Sequence, residues 1–214
     1  ATSDKVVARI LEDLKDVALD LPEEGISVYH LPRVAAYALA ARVNLYFGNY
    51  DAALENAEEA LKLNSKLVDY NTFSFKNETK PSSGINNRPV AMESPEMLMY
   101  RSSGFQTMLT SCCMSPELLA IFDREADLRY KFNFTSLDGF GKPIDEPYPL
   151  FLQELDFNIG VPEMMLIKAE CLARKKSQEA LSVLNTLRAK RFVEGSDYEL
   201  KNVEADRLLE VVLE

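Results

Sequence analysis

Tryptophan is absent from this 214-residue sequence, and histidine occurs once, at His30. The first absence removes the broadest stacking surface a side chain offers and leaves that task to tyrosine and phenylalanine. The second rules out a His/Cys constellation for zinc. It also leaves histidine-based catalysis a single base, beside Tyr29 in a connector with no motif around it. The three cysteines are badly placed for a disulfide framework: Cys112 and Cys113 are adjacent, and Cys171 sits beside Leu172 on a predicted helix. Basic residues are scarce too, 24 against 34 acidic ones, for a net charge of −10. Nucleic acids and anionic membrane surfaces draw affinity from cationic neutralisation, so neither is an expected partner. The acidity simply keeps the chain dispersed in water. No run approaches the ~20 apolar residues of a membrane span. The N-terminal stretch, ATSDKVVARILEDLKDV, has no leader-peptide pattern and enters an amphipathic helix directly, so the chain reads as cut from something longer.

What is present is a globular composition, 47% apolar and 27% charged, in a chain long enough for one well-buried core with a sizeable insertion. Its clearest feature is Pro32 to Asn64, PRVAAYALAARVNLYFGNYDAALENAEEALKLN, a helix-turn-helix unit of tetratricopeptide type. Small residues fall where two helices must approach: Ala41 on the first, and Ala53 and Ala60 on the second. Gly48-Asn49-Tyr50 punctuates between them. A looser copy lies at Pro162 to Arg191, with Ala169 and Ala180 eleven apart against twelve for Ala41 and Ala53, and a glycine-free turn at Lys175-Lys176-Ser177. Such units cannot bury their apolar faces alone and normally stack in about three copies.

Periodicity predicts further helices at 4–21, through Val6, Val7, Ile10, Leu11, Leu14, Val17, Ala18 and Leu21, and at 202–214, with Ser177 and Asn202 placed as N-caps. These end helices lack partners in the helix count. They are expected to be covered by helices beyond the chain, making about four units, or to pair with each other. Residues 64–90, rich in Asn, Ser, Thr, Lys and Pro, read as a long surface excursion. Residues 96–101 read as a short extended piece. Ser115-Pro116-Glu117 is a strong helix start. Tyr130, Phe132 and Phe134 alternate with Lys131, Asn133 and Thr135 as a half-buried strand does. Asp138-Gly139-Phe140-Gly141 reads as its turn, and the proline-bearing tract to Leu155 as ordered loop.

Three segments resemble the SusD/RagB family. IGVPEMMLIKAECLAR (159–174) followed by EALSVLNTLRAKR (179–191) is similar to the family's paired "LI-AE-LAR" and "AL--LN-LR--R" helices. MSPELLAIFDREADLRYKF (114–132) resembles its helix and "D-R" segment, and VVARILEDLKDVALDLP (6–22) its "I--DL--A---LP" helix. The matches keep the family's order and touch most of the chain outside 64–92. The resemblance implies a mainly α fold of tetratricopeptide-like helix pairs (an α-α superhelix) with a long mixed loop and short-strand insertion. It makes 1–214 one SusD-like domain, with the scaffold at 4–63 and 160–214 and the insertion at 64–159. It implies a non-enzymatic, surface-exposed outer-membrane lipoprotein of Bacteroides-type bacteria, without a cofactor. Such a protein captures an oligosaccharide or other nutrient and works with a TonB-dependent (SusC-like) transporter. Family members are commonly about twice this long and are lipid-anchored through a cysteine that this chain lacks, so its only membrane attachment would lie outside the chain. The competing class is a tetratricopeptide-type protein–protein adaptor.

Catalytic and hard-metal chemistry find little footing. Asp123, Glu125 and Asp127 sit at a helix end with no glycine in place for a calcium loop. Asp127 and Arg129 are expected to pair with each other or with backbone. Glu163 and Glu170 share one helix face and cannot oppose each other across a cleft. Glycan capture needs apolar rings to stack on a sugar and polar groups for its hydroxyls. The candidates lie outside the repeat helices: Tyr70, Phe73, Phe75, Arg88, Tyr100, Phe105, Phe140 and Tyr148, with Asn71, Asn77, Asn86 and Asn87 among them. The alternative is that these rings pin long loops onto the scaffold.

Overall fold

Helical hairpins built on alanine set the architecture. The computed structural model describes residues 2–25, 30–103, 115–137, 142–149, 155–156 and 158–214, with 102–103, 144–149 and 155–156 described by backbone alone. Helix α1 (Ser3–Ala18) is followed by α2 (Arg33–Tyr46) and α3 (Tyr50–Leu63), and the chain ends with α6 (Val161–Arg174), α7 (Glu179–Arg188) and α8 (Leu208–Leu213). Between them lie two short helices, α4 (Pro116–Ala120) and α5 (Leu128–Asn133), and four two-stranded ladders. The fold is mainly α.

Ala38 and Ala41 on α2 and Ala53, Ala57 and Ala60 on α3 are fully buried. Their i, i+4, i+7 spacing on α3 makes a smooth face that lets neighbouring backbones approach. Onto it α6 lays Val161, Met164, Ile167 and Cys171, so one core joins both hairpins. Helix α6 runs antiparallel to α3. Near its start and middle lie Arg42–Glu163 (2.6 Å) and Lys168–Glu58 (3.1 Å), and at its end the Arg174 guanidinium stacks 4.1 Å over Tyr50.

The two hairpin turns are alike in detail. Gly48 N–H donates to Leu45 O and Asn49 N–H to Asn44 O; Lys176 N–H donates to Ala173 O and Ser177 N–H to Leu172 O. Both are Schellman caps. They need a left-handed residue, which is Gly48 (φ +76°) in one and Lys176 (φ +58°) in the other. The second hairpin therefore makes the same turn without glycine. Its unequal alanine spacing has a local cause: Ala53 N–H bonds four residues back, whereas Ala180 and Leu181 bond three back, and this tighter first turn advances the helix phase.

The end helices are not partnerless, nor do they pair with each other. α1 packs on α2, and α8 packs on α6 and α7, where its Leu208 joins Leu172, Ala180 and Leu181. α1 is covered on one side only, and Val6, Ile10 and Val17 remain 40–49% exposed. Asn202 does not cap the last helix. It adopts φ +56°, and helical structure begins at the 3-10 turn Ala205–Arg207. Residues before that turn are tied sideways to α7, where the Asn185 side chain pairs with both backbone groups of Leu200.

Strand β3 (Met97–Met99) realises the expected extended piece and pairs antiparallel with β8 (Ile159–Gly160), immediately before α6. β1 (Ser74–Phe75) pairs with β2 (Ile85–Asn86), and β4 (Ser102–Ser103) with β7 (Leu155–Asp156). The start at Ser115 is as expected, its hydroxyl accepting from Leu118 N–H, although α4 stops at Ala120. The predicted strand at 130–135 is mostly helix. Asp127 caps α5 by accepting from Arg129 N–H, and the aromatic spacing suits one helical turn as well as a strand. Tyr130 and Phe134, four apart, meet Phe122 (6.0 and 5.4 Å), while Phe132 points the other way to Phe73 and Phe75 (5.6 and 5.2 Å). The tract expected as loop contains strand β6 (Pro143–Pro149), paired with β5 (Phe134–Leu137). A two-stranded ladder has only edges, where proline's missing N–H is tolerated. The expected turn at 138–141 lies outside the described residues.

Ala57→Leu forces a larger side chain between α2, α3 and α6 and is expected to cost about 1–3 kcal/mol in urea unfolding. The same change at exposed Ala8 should stay within about 0.5 kcal/mol.

Candidate functional site

The segment after α3 is held against the end of α7 by a buried cation. The Arg191 side chain is 6% exposed and forms an ion pair with Glu96. Its second terminal nitrogen donates to Val68 O (2.5 Å), and its guanidinium lies 4.5 Å from the Tyr70 ring centroid. Glu96 also accepts from Val68 N–H (2.8 Å). Beside this, Tyr70 N–H donates to Lys190 O, Lys190 pairs with Asp69 (2.7 Å), and Asn71 bonds Phe192 O. On the other side Leu128 N–H donates to Arg191 O (2.8 Å), so α5 is anchored to the same stretch. Asp127 and Arg129 form the expected pair at 2.6 Å, with Asp127 buried.

Two adjoining depressions flank residues 91–97. One, of about 170 Å³, is lined by Tyr70, Phe73, Arg88 and Glu96 among others. The second, of about 230 Å³, is lined by His30, Met92, Met99 and Tyr100 among others, and Ser94 and Met97 border both. The structure thus gathers Tyr70, Phe73 and Arg88 at one depression and places Tyr100 at its neighbour. Phe73 is buried, 4.7 Å from Tyr70, and Phe75 packs tilted against Phe132. Both rings therefore also pin the loop to α5. Arg88 donates to Phe132 O (3.1 Å). The asparagines are engaged within the loop: Asn77 accepts from Thr79, Asn86 donates to Ser74, and Asn87 to Thr72 O. Tyr148 stands on β6 opposite Thr135, with its side chain outside the described set. Phe105 and Phe140 lie outside the described residues.

Sequence reading missed Glu96, His30 and the methionines of β3 as parts of these walls, and Arg191 as the cation that holds Glu96 and Tyr70 beside them. Arg191 was visible only as the last arginine of the "LR--R" motif, and nothing local tells that its partner lies ninety-five residues away. Among the described residues, no three His, Cys, Asp or Glu side chains gather closely enough to hold a metal ion, and no helix is long and apolar enough to cross a membrane. Burial pushes the Cys171 thiol up to about 11, which leaves it protonated and inert.

Removing the charge of Glu96 by Glu96→Gln strands a buried guanidinium, and is expected to cost about 3–5 kcal/mol in denaturant unfolding. Burial alone raises the pKa of Asp69, but hydrogen bonds from Lys190 and Asn71 outweigh it, leaving the carboxyl below its ordinary value. Its contribution is fully present above the unfolded pKa of about 3.9 and is lost as pH falls through the folded value. Asp69→Asn should flatten this acid limb, as read from unfolding free energies between about pH 2 and 5.

No family model and no curated relative matches the sequence. Solved structures do match the fold. A SusD-like carbohydrate binding protein from Bacteroides vulgatus superposes with a TM-score of 0.71 at 18% identity, covering 98% of this chain and 47% of that one. A SusD-like protein from Bacteroides fragilis gives 0.70 at 15% identity, over 100% and 57%. A surface glycan-binding protein A from Bacteroides uniformis gives 0.65 at 18%, over 99% and 55%. The chain spans about half the length of these structures. Over nearly all of its own length, the chain has the SusD-like fold.

Proposed function

We propose that this chain is the helical scaffold and insertion of a surface glycan- or nutrient-binding protein. It captures its ligand without covalent chemistry and passes it to a TonB-dependent transporter. The observation that carries this reading is the fold match over 98% or more of the chain to a carbohydrate binding protein and a surface glycan-binding protein. On this reading 1–214 act as one domain, in which 4–63 and 160–214 support the insertion 64–159. The protein is then a lipoprotein on the outer membrane and performs no catalysis. Tyr70, Phe73, Phe75, Arg88, Tyr100, Phe105, Phe140 and Tyr148 remain the proposed ligand residues. Tyr70, Arg88 and Tyr100 lead, because they line the depressions around 91–97. Rings there stack on a sugar's C–H face, and the guanidinium reaches its hydroxyls.

One observation favours the adaptor reading: a groove of about 720 Å³ between α1 and the α2–α3 hairpin, floored by Leu11, Leu14, Ala36 and Ala40. It has the form of a helix-receiving cleft.

Affinity electrophoresis of the chain through gels containing polysaccharides separates the two. Retention by a polysaccharide is expected. Tyr100→Ala and Arg88→Ala should each weaken it about 2- to 10-fold, equivalent to ~0.5–1.5 kcal/mol, and Arg88→Ala should also lower the thermal melt because it gives up the bond to Phe132 O. If no glycan is retained while an amphipathic peptide binds and protects α1, the capture reading fails.

A further inference from the structure

Tyr46 is 84% exposed, more than any other large hydrophobic side chain among the described residues, and Phe47 beside it is 44% exposed. Their rings meet edge to face, with centroids 5.3 Å apart and planes at 68°. This pair is not the edge of the core. Leu45 and Tyr50, on either side of it, pack against the helical core, whereas Tyr46 and Phe47 join none of the apolar clusters among the described residues. The backbone beneath the rings is fixed: Phe47 N–H donates to Val43 O (3.1 Å), and Gly48 and Asn49 close the cap of α2. Two rings that already touch on a capped helix end need little further ordering on binding. The rings proposed for the depressions are less open, with Phe73 buried and Tyr70, Phe75 and Tyr100 half-buried.

Charge around this hairpin tip is balanced. Arg42, one turn before Tyr46, pairs with Glu163 (2.6 Å). Arg174, which stacks on Tyr50, pairs with Glu170 (2.6 Å), and Lys175 pairs with Asp51 (2.7 Å). In a chain of net charge −10 this is neutral ground, suited to an uncharged ligand. Polar groups stand at its edge. The exposed Asn49 side chain donates to Asn44 (3.3 Å), which leaves its amide oxygen to accept from a hydroxyl. The Tyr50 hydroxyl lies 4.0 Å from the point a Cβ would occupy at Gly48. A standard protein interface takes about 800 Å² from each partner, whereas two aromatic side chains supply about 300–500 Å². A sugar ring needs only an apolar face with polar groups beside it.

We propose that the Tyr46–Phe47 pair is a second sugar-stacking platform, for an uncharged polysaccharide, at the turn between α2 and α3. It rests on the glycan-binding reading above and puts a contact on the scaffold, outside the insertion. Tyr100 lines its depression together with Pro32, at the opposite end of α2, whose fourteen residues span about 21 Å. Losses at the two contacts therefore add.

The test is affinity electrophoresis of the whole 214-residue chain through gels of amylopectin, galactomannan or mixed-linkage β-glucan, with polygalacturonate as the charged counterpart. At least one neutral polymer is expected to retain the chain. Tyr46→Ala should weaken that retention about 2- to 10-fold, with the circular dichroism spectrum unchanged, and Tyr46→Phe should keep it. Tyr46→Ala/Tyr100→Ala should lose the product of the two single effects. Retention that falls with Tyr100→Ala but not with Tyr46→Ala or Phe47→Ala overturns the platform and leaves the capture reading standing. Retention that falls only with the Tyr46 and Phe47 changes sustains the platform and removes the depression from that reading. No retention by any polymer overturns both. Retention through Tyr46 by polygalacturonate alone overturns the uncharged class. Self-association abolished by Tyr46→Ala, with retention unchanged, overturns the platform and assigns the rings to a contact between copies.

Discussion

A guanidinium cannot be left in a protein interior without partners, and Arg191 is nearly enclosed. Its needs are met by groups from one distant stretch of chain: the Glu96 carboxylate, the Val68 carbonyl and the Tyr70 ring. Each partner is itself held by another bond, Glu96 by Val68 N–H and Tyr70 by Lys190 O. The arrangement is therefore a network in which both charges are satisfied, which is the condition under which a buried pair fixes one conformation. The smaller depression takes three of its wall residues, Val68, Tyr70 and Glu96, from this network. The loop from Val68 to Glu96 has few regular elements of its own, and its position comes from this anchorage.

The second constraint is apolar. Alanines on α2 and α3 bring helix axes together, and α6 closes over the same face, so the scaffold's core contains side chains from both ends of the sequence. The β3–β8 pairing sits at the edge of that core and delivers the chain directly into α6. Position in the insertion thus passes to the scaffold by two routes, one ionic at Arg191 and one through the ladder at Met97 and Met99.

The helical hairpins were legible because their signals are periodic and local: alanine spacing, Gly48 at one turn, Ser115-Pro116 at a helix start. Asp127 and Arg129 were legible as neighbours in sequence. Residues 130–134 misled because aromatics two apart satisfy a strand and also the two sides of a single helical turn; the buried cap at Asp127 decides between them. Asn202 has the chemistry of a cap, but it takes a left-handed backbone conformation (φ +56°) just after Leu200 is tied to Asn185, and helical structure begins only at Ala205. The candidate site was legible only as a collection of residue types. Tyr70, Phe73 and Arg88 do meet at one depression, yet Tyr70 is held there by Arg191 and the other two by Phe132, and pairings across such separations leave no local trace.

The direct seating of α6 on α3 also bears on how the chain folds. A repeat array ordinarily grows by adding each unit to the one just before it in sequence. Here the neighbouring hairpins are separated by roughly a hundred residues, from the end of α3 to the start of α6. Closing that loop carries an entropic cost that grows only slowly with length, but it must be met before the shared core gives any return. Such long-range closure slows folding relative to a local helical array. The partner for the α6 side of the α3 alanine face comes only from the last quarter of the chain, so this core closes through a long-range contact and not by addition of the next unit in sequence.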